Sequence, residues 1–351
     1  MNERDGTAVA ATGPGRRSGA KLALNVAIGV ASSALFTWLA VRDVSWDEAR
    51  AALDAVRWPW VAAFVALGCA VQLLRMLRWT WQLRSLGDRR TGRSLSVGAA
   101  GLAAIFFLPV RLGEAARPLL IAHPGHVGLG QALATVVVER ILDGVVVALL
   151  LLVVGLCVAG DVAEAGEILR AGGIVAGIFL GLGLALAVAL QWSAAVSRLL
   201  DRLLARRPAL AARLKGGLER FRAGIATLGR PRDAAVYVAL TAAMWALNGL
   251  CILPLFAAFG LALPWSAAFV VLGAQAVGFL VPAAPTSVGP FHYAVVWALG
   301  LYGLPSAVAF NFAVVNHLGT IAVNLVIGLA GILGGGLART APGEADSGAA
   351  R

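Results

Sequence analysis

A short charged segment, Leu108 to Arg117 (LPVRLGEAAR), interrupts a long apolar stretch of the chain. If a helix resumes after Pro109, then Arg111, Glu114 and Arg117 fall on one broad face, where Glu114 can pair with either arginine. A charge at the centre of a bilayer costs at least about 2.5–3.5 kcal/mol, so this group needs a protein interior, partners or water. Two arginines that face a cavity suit a phosphate, because the guanidinium fork matches its oxygens. The alternative is a loop at the cytoplasmic interface with ordinary salt bridges.

A second charged group, Glu139, Arg140 and Asp143, lies inside the apolar run 131–158. Glu139 and Asp143 are one helical turn apart, and Arg140 is spaced to pair with Asp143. Charges at this depth need neutralising partners. The sequence leaves two roles open: the group braces the Arg111 segment, or it forms the floor of a head-group or proton site.

The second interruption, Val281 to Phe291 (VPAAPTSVGPF), contains no acidic residue. The hydroxyls of Thr286 and Ser287, the free amides near Gly289 and the positive end of the helix that follows suit an anionic or hydroxyl-bearing group. The imidazole of His292 titrates near neutral pH, although a structural hydrogen bond is the more common role of a lone histidine. A kink without any binding role is the alternative for the whole segment.

The composition indicates the environment that must position these residues. The 351-residue chain is 60% hydrophobic and only 13% charged, which is typical of an integral membrane protein. The net charge of +11 is concentrated between the apolar runs, as in cytoplasmic loops, and no nucleic-acid-binding module is present. The sequence therefore predicts an all-α polytopic membrane protein.

We expect about six full transmembrane helices and two re-entrant broken hairpins. The spans lie near 22–41, 59–81, 131–158, 171–191, 234–259 and 306–337, and the broken hairpins near 95–122 and 265–303. The first run is long enough for an uncleaved anchor. The transmembrane domain is thus predicted over 21–338, between disordered tails at 1–20 and 339–351.

Loop charge predicts the orientation. The basic segments 84–93 and 192–232 belong in the cytoplasm, with both termini, and the acidic stretch 42–57 belongs outside a cell (inner) membrane. An outer interfacial helix is expected from Ser45 to Trp58, opened by a capping box, and a basic amphipathic helix within 210–228 at the inner leaflet.

The two halves of the chain suggest an inverted repeat. Span 59–81, hairpin 95–122 and span 131–158 match span 234–259, hairpin 265–303 and span 306–337. The first unit starts outside and the second inside, as in transporters whose shared site lies at the midplane.

Neither a metal nor a cofactor is expected. Cys69, Cys157 and Cys251 lie in apolar runs without ligand spacing, and His123 and His126 flank a Pro-Gly turn without a third ligand. The polar stripe of Asn316, Thr320 and Asn324, together with Asn248 and Gln275, is expected to join helices.

Three motifs in this order resemble the membrane domain of lysylphosphatidylglycerol synthases and the flippase-like proteins that consist of that domain alone. They are RxGExxR at Arg111, Gly113, Glu114 and Arg117, ERxxD at Glu139, Arg140 and Asp143, and PxxPxxxGxF at Pro282, Pro285, Gly289 and Phe291. The resemblance covers residues 22–337 and implies movement of a phospholipid or lipid-linked head group between leaflets. His292 replaces the acidic residue usual in the family, and no segment of this sequence is large enough for the aminoacyl-transfer domain, so synthase activity is not expected.

We therefore predict a lipid transporter or flippase that is not an enzyme. The anionic head group is expected at Arg111, Arg117 and Arg140, with Glu114, Glu139 and Asp143 setting their geometry and Thr286, Ser287, Gly289 and His292 completing the site. The alternative is a membrane-embedded accessory protein or transferase that acts on a lipid-linked sugar or phosphate. The expected partners are the lipid and the membrane, without nucleic acid, and the sequence leaves a homo-oligomer open.

Overall fold

The computed structural model describes residues 15–107, 112–122, 127–157, 165–226 and 230–334, and every regular element in these ranges is helical. The fourteen α-helices are α1 (Gly15–Val41), α2 (Trp46–Asp54), α3 (Trp58–Ser85), α4 (Thr91–Phe107), α5 (Leu112–Ile121), α6 (Leu129–Cys157), α7 (Ala165–Gln191), α8 (Ser193–Leu203), α9 (Pro208–Ala226), α10 (Pro231–Leu250), α11 (Leu253–Ala258), α12 (Trp265–Gly278), α13 (Pro290–Gly300) and α14 (Ser306–Leu333). A 3₁₀ turn, Pro285–Ser287, lies between α12 and α13. The predicted all-α class is confirmed.

Four stretches of the described chain are long and apolar enough to cross a membrane: Leu24–Val41, Trp58–Ser85, Pro231–Ala258 and Ser306–Leu333. The helices α7 and α8 form a fifth candidate if the bent pair counts as one span. Helix α6, with 29 residues, would be about 43 Å long at 1.5 Å per residue, but Glu139, Arg140 and Asp143 interrupt its apolar character. These helices make the protein a membrane protein, and the predicted number of six full spans stays a prediction.

Both interruptions divide helices as predicted. The first separates α4 from α5, although residues 108–111, including Arg111, lie outside the described part of the chain. The second separates α12 from α13, with Gly289 at φ 95° before Pro290. Pro290 starts α13 without losing a helical hydrogen bond, because the first amides of a helix have no partner within it.

Helices are present in both segments for which extramembrane helices were predicted, although α2 ends at Asp54 and Trp58 already belongs to α3. Helix α2 begins directly after Ser45, but no side-chain capping hydrogen bond forms there, so the predicted capping box is wrong. The helix is held instead by its packing on α14, where Ala49 and Ala307 are buried together and the Asn311 side chain donates to the Ala49 carbonyl. Helix α9 covers most of 210–228 and packs against α6, where Arg220 lies beside Gly130.

The apolar core has two parts that matter for the site. The larger part surrounds Phe256, Phe291 and Phe312 and involves α3, α6 and α10 to α14. A smaller part, centred on Trp79 and Ile121, joins α3, α4, α5 and α6. Helix α1 begins at Gly15, inside the predicted disordered tail 1–20, whereas residues 1–14 and the tail 339–351 lie outside the described residues.

Candidate functional site

Glu139 is the centre of a buried ion cluster. Its fully buried carboxylate lies within 3.0 Å of Arg140 Nη2, 3.1 Å of Arg117 Nη2 and 3.3 Å of Arg78 Nη2. Arg117 uses both terminal nitrogens, since Nη1 donates to Oε2 at 3.2 Å. One carboxylate thus joins guanidinium groups from α3, α5 and α6.

Asp143 extends this cluster to α10. Arg78 donates to both of its oxygens, at 2.5 and 3.2 Å, and Trp245 Nε1 donates to Oδ1 at 3.0 Å. Arg78 also donates to Thr241 Oγ1 at 3.2 Å and is itself fully buried. The Arg78 guanidinium lies 5.4 Å from the Tyr237 ring centroid, close enough for a cation–π contact.

The predicted arginine site is therefore divided. Arg117 is buried in the cluster and stacks 5.3 Å from the Trp79 ring, and neither it nor Glu139 is among the residues that line the large cavity beside the cluster. Arg140 and Asp143 do line one. Arg111 lies outside the described residues, and of Glu114 the structure describes only the backbone, in α5. Arg117 links α5, which follows the first interruption, to Glu139. This is the contact expected if the Glu139, Arg140 and Asp143 group braces the Arg111 segment.

A cavity of about 690 Å³ lies beside the ion cluster. Helices α1, α3, α6, α7, α10, α12 and α14 contribute to its wall, together with the segment between α12 and α13. Its polar lining residues are Asn25, Gln72, Arg75, Arg140, Asp143, Asn248, Gln275, Thr286, Ser287, His317, Thr320 and Asn324. Apolar side chains such as Val147 and Phe179 complete the wall, so the cavity is amphipathic.

The sequence analysis missed Arg75 and Arg78, one turn apart inside the span 59–81. Arg78 holds the two carboxylates, and Arg75 lines the cavity. A signal was present, because an ionisable residue within a membrane span marks a functional or structural site by default. The apolar length of the span masked it.

The second interruption forms another part of the cavity wall. Thr286 and Ser287 line the cavity and adopt positive φ angles of 64° and 59°, which are strained for residues with a β-carbon. His317 Nε2 lies 3.0 Å from the Thr286 carbonyl oxygen, and the Ala284 amide donates to Ser33 Oγ of α1 at 2.9 Å. The strained turn is therefore held from α1 and α14.

Two predicted site residues of this segment support the turn and are not among the residues that line the cavity. Gly289 lies so close to α1 that a β-carbon would be 2.4 Å from the Ser33 carbonyl oxygen. The His292 ring packs 4.9 Å from His317 and 5.7 Å from Phe291, and its Nδ1 accepts a hydrogen bond from the Gly289 amide at 3.4 Å. This is the structural role weighed for His292 in the sequence.

The polar stripe on α14 both joins helices and lines the cavity. Asn324 accepts a hydrogen bond from Gln72 of α3 at 2.8 Å, so it joins two helices as expected. Thr320 and Asn324 also line the cavity. Within the part of the chain that the structure describes, no three His, Cys, Asp or Glu side chains are placed to hold a metal ion.

A smaller cavity of about 290 Å³ adjoins the first and shares Val277 with it. It lies between α1, α6, α12 and α13, and its lining includes Phe36, Leu151, Tyr293 and Trp297. It is almost entirely apolar. An amphipathic cavity and an apolar cavity therefore both border α12.

The family model of the lysylphosphatidylglycerol synthase transmembrane region matches residues 26–328, nearly the whole chain. The chain belongs to this family. The resemblance seen in the three sequence motifs is thereby confirmed. No curated protein and no solved structure matches the chain. In this member of the lysylphosphatidylglycerol synthase transmembrane family, Arg117 and the Glu139–Asp143 segment meet in the ion cluster, whereas the Pro282–Phe291 segment forms a separate part of the cavity wall.

Proposed function

We propose that this protein is a lipid transporter that moves a phospholipid or a lipid-linked head group between the leaflets of a cell (inner) membrane. The observation that carries the proposal is that an amphipathic cavity with many polar lining residues and an apolar cavity lie side by side, with Val277 in the wall of both. A lipid has a polar head and an apolar chain, and these two cavities offer each part a matching environment.

The charge balance favours an anionic head group. Among the described side chains, Glu139 and Asp143 pair with Arg78, Arg117 and Arg140, whereas the nearby Arg75 forms no ion pair with either carboxylate. A buried positive charge without a counter-ion is costly unless an anion accompanies it. A lipid phosphate would supply that anion.

The helix packing supports a two-fold repeat, and the basic segments 84–93 and 192–232 favour a cytoplasmic position for both termini. Helices α4 and α5 pack together as α12 and α13 do, and α5 packs on α6 as α13 packs on α14. The contacts between the two halves correspond in the same way. Helix α4 packs on α14 as α12 packs on α6, and α3 packs on α14 as α10 packs on α6. A two-fold relation between the units α3–α6 and α10–α14 would produce these matched pairs.

Transport without covalent change is favoured over the transferase alternative by the state of the acidic groups. Glu139 is held by three arginines, and both oxygens of Asp143 accept hydrogen bonds from Arg78. A general base needs an oxygen that can take a proton from the substrate. These two carboxylates are engaged in the ion cluster instead.

Reconstitution into proteoliposomes with head-group-labelled lipids tests the proposal. Wild-type protein is expected to move an anionic phospholipid across the bilayer, measured by accessibility of the label to an impermeant reagent. Thr320→Trp, which fills the cavity from α14, should abolish movement, whereas Leu318→Trp on the exposed face of the same helix should not. Equal transport by both variants, or none by the wild type, would contradict the proposal, and a covalently altered lipid in mass spectra would favour the transferase.

A further inference from the structure

Arg75 differs from every other arginine of the ion cluster in its surroundings. It lies one turn before Arg78 on α3 and lines the large cavity. Within the described part of the chain it makes neither a hydrogen bond nor an ion pair, and its Nε, like that of Arg78, is buried without an acceptor there. Asp143 and Glu139 attract it only at longer range.

The carboxylates near Arg75 are already engaged. Glu139 pairs with Arg78, Arg117 and Arg140, and Asp143 accepts from Arg78 and Trp245. An arginine inside a membrane that has no counter-ion is costly, and an unsatisfied buried donor in a native structure demands an explanation. A ligand that brings its own negative charge supplies one.

A second donor points to the same chemistry. Gln275 Nε2, on α12, is buried and has no hydrogen-bond partner among the described residues, and Gln275 lines the same cavity. Gln72 contributes an orphaned acceptor, Oε1, but its amide is already bonded to Asn324. A guanidinium and an amide N–H that both lack acceptors suit a group rich in acceptor oxygens, such as a phosphate.

We infer that Arg75 binds the phosphate oxygens of the lipid substrate, with Gln275 as a second donor, while Arg78 and Arg117 hold the fold. This inference rests on the proposed lipid transport, and it moves the anion contact away from Arg117. Arg75 is unpaired because its partner belongs to the substrate. Arg78 and Arg117 are paired because their partners belong to the protein.

Binding of phosphatidylglycerol to the purified full-length protein in detergent, followed by native mass spectrometry, tests the role of Arg75. Arg75→Gln is expected to weaken this binding about ten- to hundredfold, the usual loss for a charge-assisted hydrogen bond. Arg75→Lys should recover part of the affinity, because the lysine ammonium restores the charge but not the paired N–H donors of the guanidinium. Arg84→Gln, which removes the same charge from an exposed site of the same helix, should bind normally.

Two further measurements separate a binding role from a structural one. The melting temperature of Arg75→Gln should equal or exceed that of the wild type, because the substitution removes an uncompensated charge. Diacylglycerol, which has the chains but no phosphate, should bind wild type and Arg75→Gln alike. Unchanged phosphatidylglycerol affinity in Arg75→Gln, or a joint loss of stability and of diacylglycerol binding, would overturn the inference.

The remaining comparisons identify the source of the anion and separate this inference from transport. If inorganic phosphate competes with phosphatidylglycerol for the wild type but not for Arg75→Gln, Arg75 binds phosphate without needing a lipid chain. If inorganic phosphate does not compete although lipid binding depends on Arg75, Arg75 binds phosphate only when the lipid chains are attached to it. Arg75-dependent binding without transport would leave the site standing and refute the transporter. Transport at the wild-type rate by Arg75→Gln would refute the role of Arg75 and leave the transporter standing.

Discussion

The two interruptions meet the same physical demand in different ways. Beside the first interruption, charged side chains pair with one another, because Arg117 of α5 joins an ion cluster with residues of α3 and α6. At the second, the turn from Ala284 to Gly289 contains no charge, and its backbone is held by Ser33 of α1 and His317 of α14. Polar groups at membrane depth need protein partners or water, and the described residues beside the first interruption find them in paired charges, whereas those of the second find them in close packing.

The difference predicts different sensitivities. The ion cluster depends on a balance of charges that several helices share, so the loss of one carboxylate affects all of them. The second turn depends on backbone shape at single residues, so a change there stays local. Three substitutions sharpen this comparison.

The largest effect is expected for Glu139→Gln. This change leaves the three arginines around Glu139 without their common carboxylate, and removal of one partner of a buried ion pair costs about 3–5 kcal/mol. Heating of the purified protein followed by size-exclusion chromatography should show a large loss of folded monomer. The exposed Glu48→Gln in α2 is the matched control, and a Glu139→Gln variant as stable as this control would show that the cluster does not hold the fold.

An intermediate effect is expected for Gly289→Ala. The residue has φ 95°, and its new β-carbon would lie 2.4 Å from the Ser33 carbonyl oxygen, so the turn has to move away from α1. Backbone strain of this kind costs of order 1–3 kcal/mol. Gly300→Ala, where a β-carbon meets open space, should leave the melting temperature almost unchanged. Equal melting temperatures for the two variants would contradict the close packing of this turn against α1.

The smallest effect concerns Thr286, whose φ of 64° favours glycine. Thr286→Gly should be more stable than Thr286→Ala by about 1 kcal/mol, because alanine is destabilised by its β-carbon in the left-handed conformation and glycine is not. The same pair of substitutions at the helical Thr320 should rank in the opposite order. Denaturation of the four variants measures both differences, and the same order at both positions would remove the argument for strain.

Much of the fold follows from the sequence because hydrophobic length is a local property. The apolar runs near 59–81 and 306–337 correspond to α3 and α14 within a few residues, and both interruptions divide helices. The capping box at Ser45 failed because packing on α14 fixes the start of α2 without it. The inverted repeat and the orientation of the chain stay predictions.

The division of labour among the arginines could not be predicted in the same way. Arg75, Arg78, Arg117 and Arg140 look equivalent in the sequence, since each is a charge near or inside an apolar run. Which of them is neutralised depends on how α3, α5 and α6 approach Glu139, and this is set by long-range packing. Only the folded structure shows that Arg75 is left facing the cavity without a counter-ion among the described residues.

The contact between α1 and the second turn has a consequence for biosynthesis. Helix α1 leaves the ribosome first, but its partners Ala284 and Gly289 follow some 250 residues later. At 5–20 residues per second, that interval lasts on the order of 10–50 seconds. Asn25, Ile28 and Gly29 of α1 can therefore take their places in the cavity wall only after the segment between α12 and α13 has been synthesised, so the cavity closes when α1 joins this later segment.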